Sequence, residues 1–140
     1  ERGAAGMIVD LMDATVSAVF AQLSGRAELT ALCPVTEHVL QDAAWPLTRI
    51  GQVESAPIGG KGEQVEEIAL QVETLYRGTS PAQLRGMMLE QRRALEGQAL
   101  EHEGVTLHPP VWGGAAVDGP AKDGHSYVGI QTFIIIAEPA

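Results

Sequence analysis

Strict alternation of side chains over residues 66–78, "EEIALQVETLYRG", constrains the fold more than any other feature of the sequence. Side chains of a β-strand point alternately to opposite faces of the sheet, so this pattern predicts a strand with one face in the core and the other in water. Such strands are typical of antiparallel sheets that are covered on one side only. The residues predicted to face the core are Ile68, Leu70, Val72, Thr74 and Tyr76.

Two helices are predicted from apolar residues that recur at intervals of three and four positions. The first covers residues 7–24 and stops at Gly25. The second covers residues 80–97, where Ser80 as the N-cap and Gln83 three positions later predict a capping box. Its inner stripe is predicted to comprise Leu84, Met88, Gln91 and Leu95.

The remaining segments add strands and complete the predicted fold class. A short strand is possible at residues 38–41, and another strand follows Pro46 in "WPLTRIGQVES". Two more are predicted, one starting near Leu100 or Val105 and ending about Val117, the other at residues 125–138. This order predicts an α+β fold, in which a mostly antiparallel sheet of four to five strands carries two helices packed on one face.

Length and composition limit the class of protein. A chain of 140 residues fits one domain, so residues 7–140 are predicted to form a single domain after a flexible N-terminal arm or cloning remnant at residues 1–6. With 18 acidic and 9 basic residues the net charge is −9, which argues against direct binding of a phosphate backbone. A single cysteine, Cys33, excludes an intrachain disulfide and a cysteine-based zinc site. The sequence has no apolar run of about 20 residues and no signal-peptide layout, so cytosolic assembly is expected.

The glycine-rich segment "ESAPIGGKGEQVEE" raises the question of a phosphate-binding loop. A loop of the Walker type needs Gly-Lys-Ser/Thr followed by a helix, whereas Lys61 is followed by Gly62 and then by a predicted strand. The glycines instead suit the positive φ angles of a hairpin tip. Because residues 54–64 exceed an ordinary hairpin loop, we expect a projecting arm that orders on a partner, with Ile58 and Lys61 among its contacts.

Candidate catalytic and metal-binding residues are few. His102 and His108 lie about 20 Å apart on one predicted strand, too far to share a metal unless a bulge or turn forms at Gly104. His38 and His125 have no nucleophile close in sequence, and no serine stands in a Gly-x-Ser-x-Gly motif. We therefore predict no catalytic residue, cofactor or metal. The alternative is a small α+β ligand-binding domain or enzyme with a site near His102 and His108.

The closing strand is apolar on both faces at "FIIIA", residues 133–137. Such a strand does not leave one side in water, and two interpretations stay open. It is either a central strand whose outer face is roofed by the first helix or by loops, or a strand whose second face packs against another copy of the chain. In the second case Phe133 and Ile135 are candidate contact residues.

A basic cluster comprises Arg77, Arg85, Arg92 and Arg93. One interpretation is a solvated helix face on which the arginines pair with Glu90 and Glu96. The other is a patch that forms salt bridges to a neighbouring subunit.

Taken in order, several segments resemble the tail-terminator or tail-completion family of long-tailed bacteriophages and gene transfer agents. The resemblance covers residues 7–139: an N-terminal helix, "AAWPLTRIG", a glycine-rich loop, "IALQVETLYRG", a helix opening "SPAQLRGMM", and a closing strand ending "AEP". The short family motifs are matched by Trp45-Pro46-Leu47 with Gly51, by Tyr76-Arg77 and by Glu138-Pro139. Each motif is degenerate, so the specificity lies in their order and spacing.

The resemblance implies a structural role in the tail or neck of a virion. Proteins of this family assemble in the host cytoplasm as a homohexameric ring, cap the completed tail tube and join it to the head connector, leaving a channel for DNA. The implied partners are other copies of the chain, the tail tube protein and the connector or stopper protein, with no membrane and no sequence-specific DNA binding. The residues predicted to contact a subunit, tube or connector are Ile58, Lys61, Arg77, Arg92, Arg93, Trp112, Phe133 and Ile135.

Overall fold

A computed structural model of the chain describes residues 7–37 and 43–140. The helices of this part are α1 (Leu11–Ser24), α2 (Ala27–Thr30) and α3 (Pro81–Leu95). The strands are β1 (Val35–Thr36), β2 (Leu47–Pro57), β3 (Glu66–Arg77), β4 (Val105–Leu107), β5 (Val111–Asp118) and β6 (Ser126–Pro139). The predicted α+β class is confirmed, whereas the short strand predicted at residues 38–41 lies outside the described residues.

The strands of the described part form one six-stranded sheet in the order β1-β2-β3-β6-β4, with β5 also paired to β6. This is more than the four to five strands predicted. The sheet is mixed, because β1 pairs with β2 in parallel while the other ladders are antiparallel. The parallel pair was missed because β1 has only two residues, too few to show a period.

The centre of the sheet is the long ladder between β3 and β6, whose register sets the two faces. Leu70 lies opposite Phe133 and Ile68 opposite Ile135, and all four side chains are fully buried. We call this the inner face. The side chains between them point to the other side of the sheet, which we call the outer face.

Side chains from α1 and α3 complete the core, since their buried residues belong to the same apolar cluster as the inner face. The inner stripe predicted for α3 is confirmed: Leu84, Met88, Gln91 and Leu95 are all buried. A Cβ atom at Gly129 of β6 would lie 2.5 Å from Met88 Sδ, so glycine at this position permits the close approach of the helix. The amide of Gln22 donates to the Ala94 carbonyl (3.0 Å) and joins α1 to α3.

Two helix starts differ from the predictions. The first helix begins at Leu11 and not at residue 7, because the Asp10 carboxylate accepts a hydrogen bond from the Asp13 N–H (2.9 Å) and caps it there. The capping box predicted for α3 does not form, because the Ser80 side chain makes no cap bond. The hydroxyl of Tyr76 donates to Gln83 Oε1 instead (2.8 Å), which draws the glutamine away from the helix end.

Two strand boundaries also differ from the predictions. Strand β2 continues to Pro57 and pairs with β3 along that length, so the connecting loop is residues 58–65 and not residues 54–64. The strand predicted up to about Val117 is divided into β4 and β5, because two prolines follow His108.

Candidate assembly surfaces

The loop of residues 58–65, which we call the glycine-rich arm, is the tip of the β2–β3 hairpin, as predicted. The Ile58 N–H donates to the Val65 carbonyl (2.9 Å), and the Glu63 N–H donates to the Gly60 carbonyl (3.0 Å). Its contact candidates are accessible, since Ile58 is 48% exposed and Lys61 is exposed. A strand follows the arm, in place of the helix that a phosphate-binding loop of the Walker type requires.

The N-terminal segment lies along the base of the arm. The Gln64 side chain accepts from the Val9 N–H (3.1 Å) and donates to the Val9 carbonyl (2.8 Å), as a neighbouring strand would. Met7 and Ile8 are 71% and 83% exposed and border a depression of about 320 Å³ next to the arm. This end of the molecule therefore presents apolar side chains to solvent.

A second surface is the groove between α3 and β5, which we call the trough. Its volume is about 290 Å³, and its lining includes Arg85, Met88, Leu89, Arg92, Trp112, residues 115–117 and Gln131. The Arg92 guanidinium stacks on the Trp112 ring, 3.6 Å from its centroid, and its Nε donates to Glu96 (2.5 Å). Two of the predicted contact residues, distant in sequence, are thus brought together here.

A buried network of side-chain hydrogen bonds holds the floor of the trough. The Trp112 indole N–H donates to Gln131 Oε1 (3.0 Å), and the Gln131 amide donates to Gln91 Oε1 (2.8 Å). The Gln91 amide in turn donates to the hydroxyls of Thr48 (2.9 Å) and Thr74 (2.6 Å). Among the described residues, no buried side-chain nitrogen or oxygen is left without a partner, so Trp112 is fixed in orientation.

Cys33 lies at the far end of this network, where its thiol is 3.2 Å from the Thr48 hydroxyl. Burial raises the pKa of the thiol, and the hydrogen bond with Thr48 partly offsets that change. The thiol is therefore protonated and enclosed at neutral pH.

The outer face of β6 is the third surface. Phe133 and Ile135 are fully buried in the protomer, while the alternate residues Ile134 and Ile136 are half-buried on the outer face. Val111 of β5 lies opposite Ile134 and is 61% exposed. The apolar "FIIIA" segment therefore belongs to a central strand, with one half in the core and the other half forming an apolar stripe across the outer face.

Two other arginines of the predicted cluster, Arg77 and Arg93, have partners inside the protomer. Arg77 lies over the Trp45 ring at 4.3 Å and donates to the Ser126 hydroxyl (3.1 Å). Arg93 pairs with Glu90 (2.7 Å), which also binds Arg26 (2.9 Å). Hydrogen bonds, first from Arg26 and then from Arg93, hold the pKa of Glu90 below its usual value. The pairing of Arg92 and Arg93 with Glu96 and Glu90 agrees with the solvated-face interpretation.

The histidines do not form a common site in the described residues. His102 lines a depression formed by residues 100–107, whereas His108 binds Glu138 (3.0 Å) outside it. No group of three His, Cys, Asp or Glu side chains in residues 7–37 and 43–140 is placed to hold a metal ion. His38 lies outside the described residues, and His125 is an exposed turn residue beside Asp123.

Sequence reasoning identified Trp112 and Arg92 singly, but it missed the trough that they share. Leu89 was one available signal, because it is apolar yet lies off the predicted inner stripe of α3, and it is 44% exposed. Val117 of β5, also 44% exposed, was predicted at the end of a strand, but the sequence did not connect it with α3.

These surfaces are grooves, stripes and projecting loops suited to protein contacts, and they define a small α+β assembly protein more readily than an enzyme pocket. The chain belongs to the family described as tail completion protein gp17, whose model matches residues 17–138. It is thus a structural tail protein of a virion. None of the described helices is long and apolar enough to span a membrane.

The fold is also found in a known particle. A chain in the solved structure "Virion of native gene transfer agent (GTA) particle" has a TM-score of 0.79 and 16% sequence identity to this chain, covering 93% of this chain and 99% of the other. At this identity the match establishes a shared fold. A comparison with curated protein sequences finds no match.

Proposed function

We propose that this protein caps the completed tail tube as a homohexameric ring and joins the tail to the head connector, leaving a channel for DNA. The observation that carries the proposal is the family match over residues 17–138. In this role the protein acts by fitting against copies of itself, the tail tube protein and the connector or stopper protein, without catalysis. Assembly takes place in the cytoplasm of the bacterial host.

The three surfaces supply the contacts that a ring and its neighbours need. A closed ring uses two different patches on each copy for its own contacts, and its two ends remain for the tube and the connector. The arm would contribute Ile58 and Lys61, and the trough would contribute Arg92 and Trp112. Arg77 and Arg93 are proposed as further contacts at the rims of these surfaces. Phe133 and Ile135 pack in the core and support β6, whose outer face is apolar.

Charge is compatible with a wall around a DNA channel. The chain carries 18 acidic and 9 basic residues, so most of its surface repels phosphate and does not retain the passing genome. We also propose that α1 and α3 form one layer on the inner face, which leaves the outer face of the sheet available for contacts with other subunits.

Electron microscopy of particles made without this protein tests the function. Because an uncapped tube keeps growing or fails to join a head, we expect overlong tails, headless tails or both, and restoration by the gene supplied on a plasmid. Particles with normal length and joined heads would refute the proposal. Sedimentation of the purified protein adds a second readout, since six chains of 14.8 kDa give a species of about 89 kDa.

A further inference from the structure

The trough is an apolar groove that the described residues leave open. Leu89 of α3 and Val117 of β5 line it from two different elements, and each is 44% exposed. Its floor includes Ala115 and Ala116, which are small and exposed. The floor does not shift readily, because Trp112 is tied to Gln131 in the buried network. A rigid, partly apolar groove favours insertion of an apolar side chain from outside.

The trough is also basic in a chain that is strongly acidic. Arg85 and Arg92 line it, and none of its other described lining residues carries a carboxylate. Within residues 7–37 and 43–140, Arg85 makes no ion pair, while Arg92 binds Glu96 on its own helix. An occupant with an apolar side chain and nearby negative charge would match this surface.

The glycine-rich arm has those complementary properties. Ile58 at its start is 48% exposed. The segment from residue 54 to residue 67 contains four glutamates and a single lysine, Lys61. In the described part of the chain Glu54 and Glu66 accept side-chain hydrogen bonds, and none of the four glutamates makes an ion pair. The arm and its flanking residues therefore present an apolar side chain, Ile58, close in sequence to negatively charged glutamates.

The arm and the trough do not meet within one copy. Glu66, at the base of the arm, lies opposite Ala137 of β6, whereas the floor of the trough lies beside Gln131. Six residues of strand separate these positions by about 20 Å. In addition β6 stands between β3, which follows the arm, and β5, which lines the trough. Any contact between them therefore joins two copies, and when each copy contacts the next in the same direction the arrangement is head to tail and generates rings.

We propose that the arm of each copy docks in the trough of the next copy, with Ile58 between Leu89 and Val117 and with Glu63 facing Arg85. This inference rests on the proposed function, because it names the contact that closes the ring. The partner is a second copy of this chain, and contact with the tube or the connector is an alternative that the experiment distinguishes.

Charge reversal on the two sides provides the test. The gene is deleted in bacteria that produce the particles, and a supplied gene replaces it. The supplied genes encode the Arg85→Glu protein, the Glu63→Lys protein, or both single-variant proteins in the same cell. Each variant alone places like charges at every contact between copies, so we expect at least a tenfold loss of particles with correctly joined tails. The two together pair opposite charges when they alternate around an even-numbered ring, so we expect recovery. Lys122→Glu is the control, because it reverses a charge at an exposed position of the β5–β6 turn outside the trough and the arm, and it should behave as the original protein.

The outcomes separate the two proposals. Normal particles with either single variant overturn the docking inference, while defects caused by deletion of the gene still support the proposed function. Defects with both single variants but no recovery together also overturn it, and assign those surfaces to the tube or the connector. Sedimentation of the purified variants gives an independent readout. A mixture that associates at least tenfold more tightly than either variant supports docking between copies, and equal behaviour of all three samples contradicts it.

Discussion

The floor of the trough and the glycine-rich arm satisfy their polar groups in opposite ways. At the floor, the side chains of Gln91, Gln131 and Trp112 are fixed by hydrogen bonds to one another and to the sheet. In the arm, the described contacts are mostly hairpin backbone bonds and the clasp of Gln64 on Val9. The floor is thus held by long-range side-chain contacts, and the arm mainly by local backbone bonds, with the clasp of Gln64 on Val9 as its long-range contact.

This difference indicates which parts of the protomer are needed for folding and which are available for assembly. A buried polar network is stable only when every member is paired, so the position of the trough is determined inside one copy. The arm leaves Ile58, Lys61 and Glu63 in solvent, and none of them belongs to the core cluster of the described residues. The comparison predicts that substitutions near the trough floor affect folding, whereas substitutions in the arm affect assembly.

Truncation of Phe133 should have the largest effect on stability. Its side chain is fully buried between the helices and the sheet, so Phe133→Ala leaves a cavity and should lower the free energy of unfolding by about 4 kcal/mol. Urea unfolding followed by circular dichroism measures this change. The neighbouring Ile134→Ala is the matched control, because Ile134 is half-buried on the outer face and should cost only about 1 kcal/mol. Equal losses would mean that the two faces of β6 are not distinguished as described.

Removal of the amide at the centre of the network should have the next largest effect. In Gln91→Leu, the hydroxyls of Thr48 and Thr74 lose their donor and the Gln131 amide loses an acceptor. We expect the free energy of unfolding to fall by about 3 kcal/mol, since buried polar groups left unpaired are costly. The fluorescence of Trp112 should also change, because its partner Gln131 keeps only its amide bond to the Met88 carbonyl. Gln98→Leu is the control at an exposed position, and a loss as large there would contradict the role of the network.

The elements of this comparison were predictable from the sequence to very different degrees. Strand β3 and the inner stripe of α3 were predicted well because their patterns are periodic and long. The trough was not predicted as a surface, because it joins residues about 25 positions apart that become neighbours only when β5 pairs with β6. The network was missed for the same reason, since Gln91 and Gln131 belong to different elements.

The start of the arm was misplaced for a local reason. The register of β2 against β3 shifts between Ile50 and Val53, so the alternation read from Leu47 onward does not continue through the strand. The residues beyond the shift, up to Pro57, are exposed and carry no periodic signal, although they still pair with β3. Backbone pairing of this kind leaves little trace in composition.

A polar cluster in the β5–β6 turn should give a smaller, pH-dependent effect. The Asp123 carboxylate accepts hydrogen bonds from the Ser126 hydroxyl and from the N–H groups of His125 and Ser126. These bonds, led by that of the Ser126 side chain, lower the pKa of Asp123 from 3.8 to about 2. Because the pKa is lower in the folded state, the stabilisation is complete above pH 3.8 and is lost as the pH falls towards about 2.

Asp123→Asn should therefore reduce the dependence of stability on pH in that interval. We expect the urea midpoint of the original protein to fall towards that of the variant between about pH 4 and pH 2, with a constant difference above this range. Asp118→Asn, at the exposed end of β5, controls for a general change of net charge. If the difference between original protein and Asp123→Asn did not vary with pH, the turn would not hold the carboxylate as described.

Ile58→Ala should have the smallest effect on the stability of the isolated protomer, in direct contrast to Phe133→Ala. Ile58 is 48% exposed and its described hydrogen bonds come from the backbone, so the free energy of unfolding should change by less than about 0.5 kcal/mol. If the arm docks between copies, the same truncation should still reduce ring formation, measured by sedimentation, because an apolar contact is lost at every interface of the ring. Leu32→Ala is a suitable control, since Leu32 is 46% exposed and lies away from both the arm and the trough. A protomer that unfolds much more readily after Ile58→Ala would show that the arm supports the fold, and the division between folding and assembly surfaces would then fail.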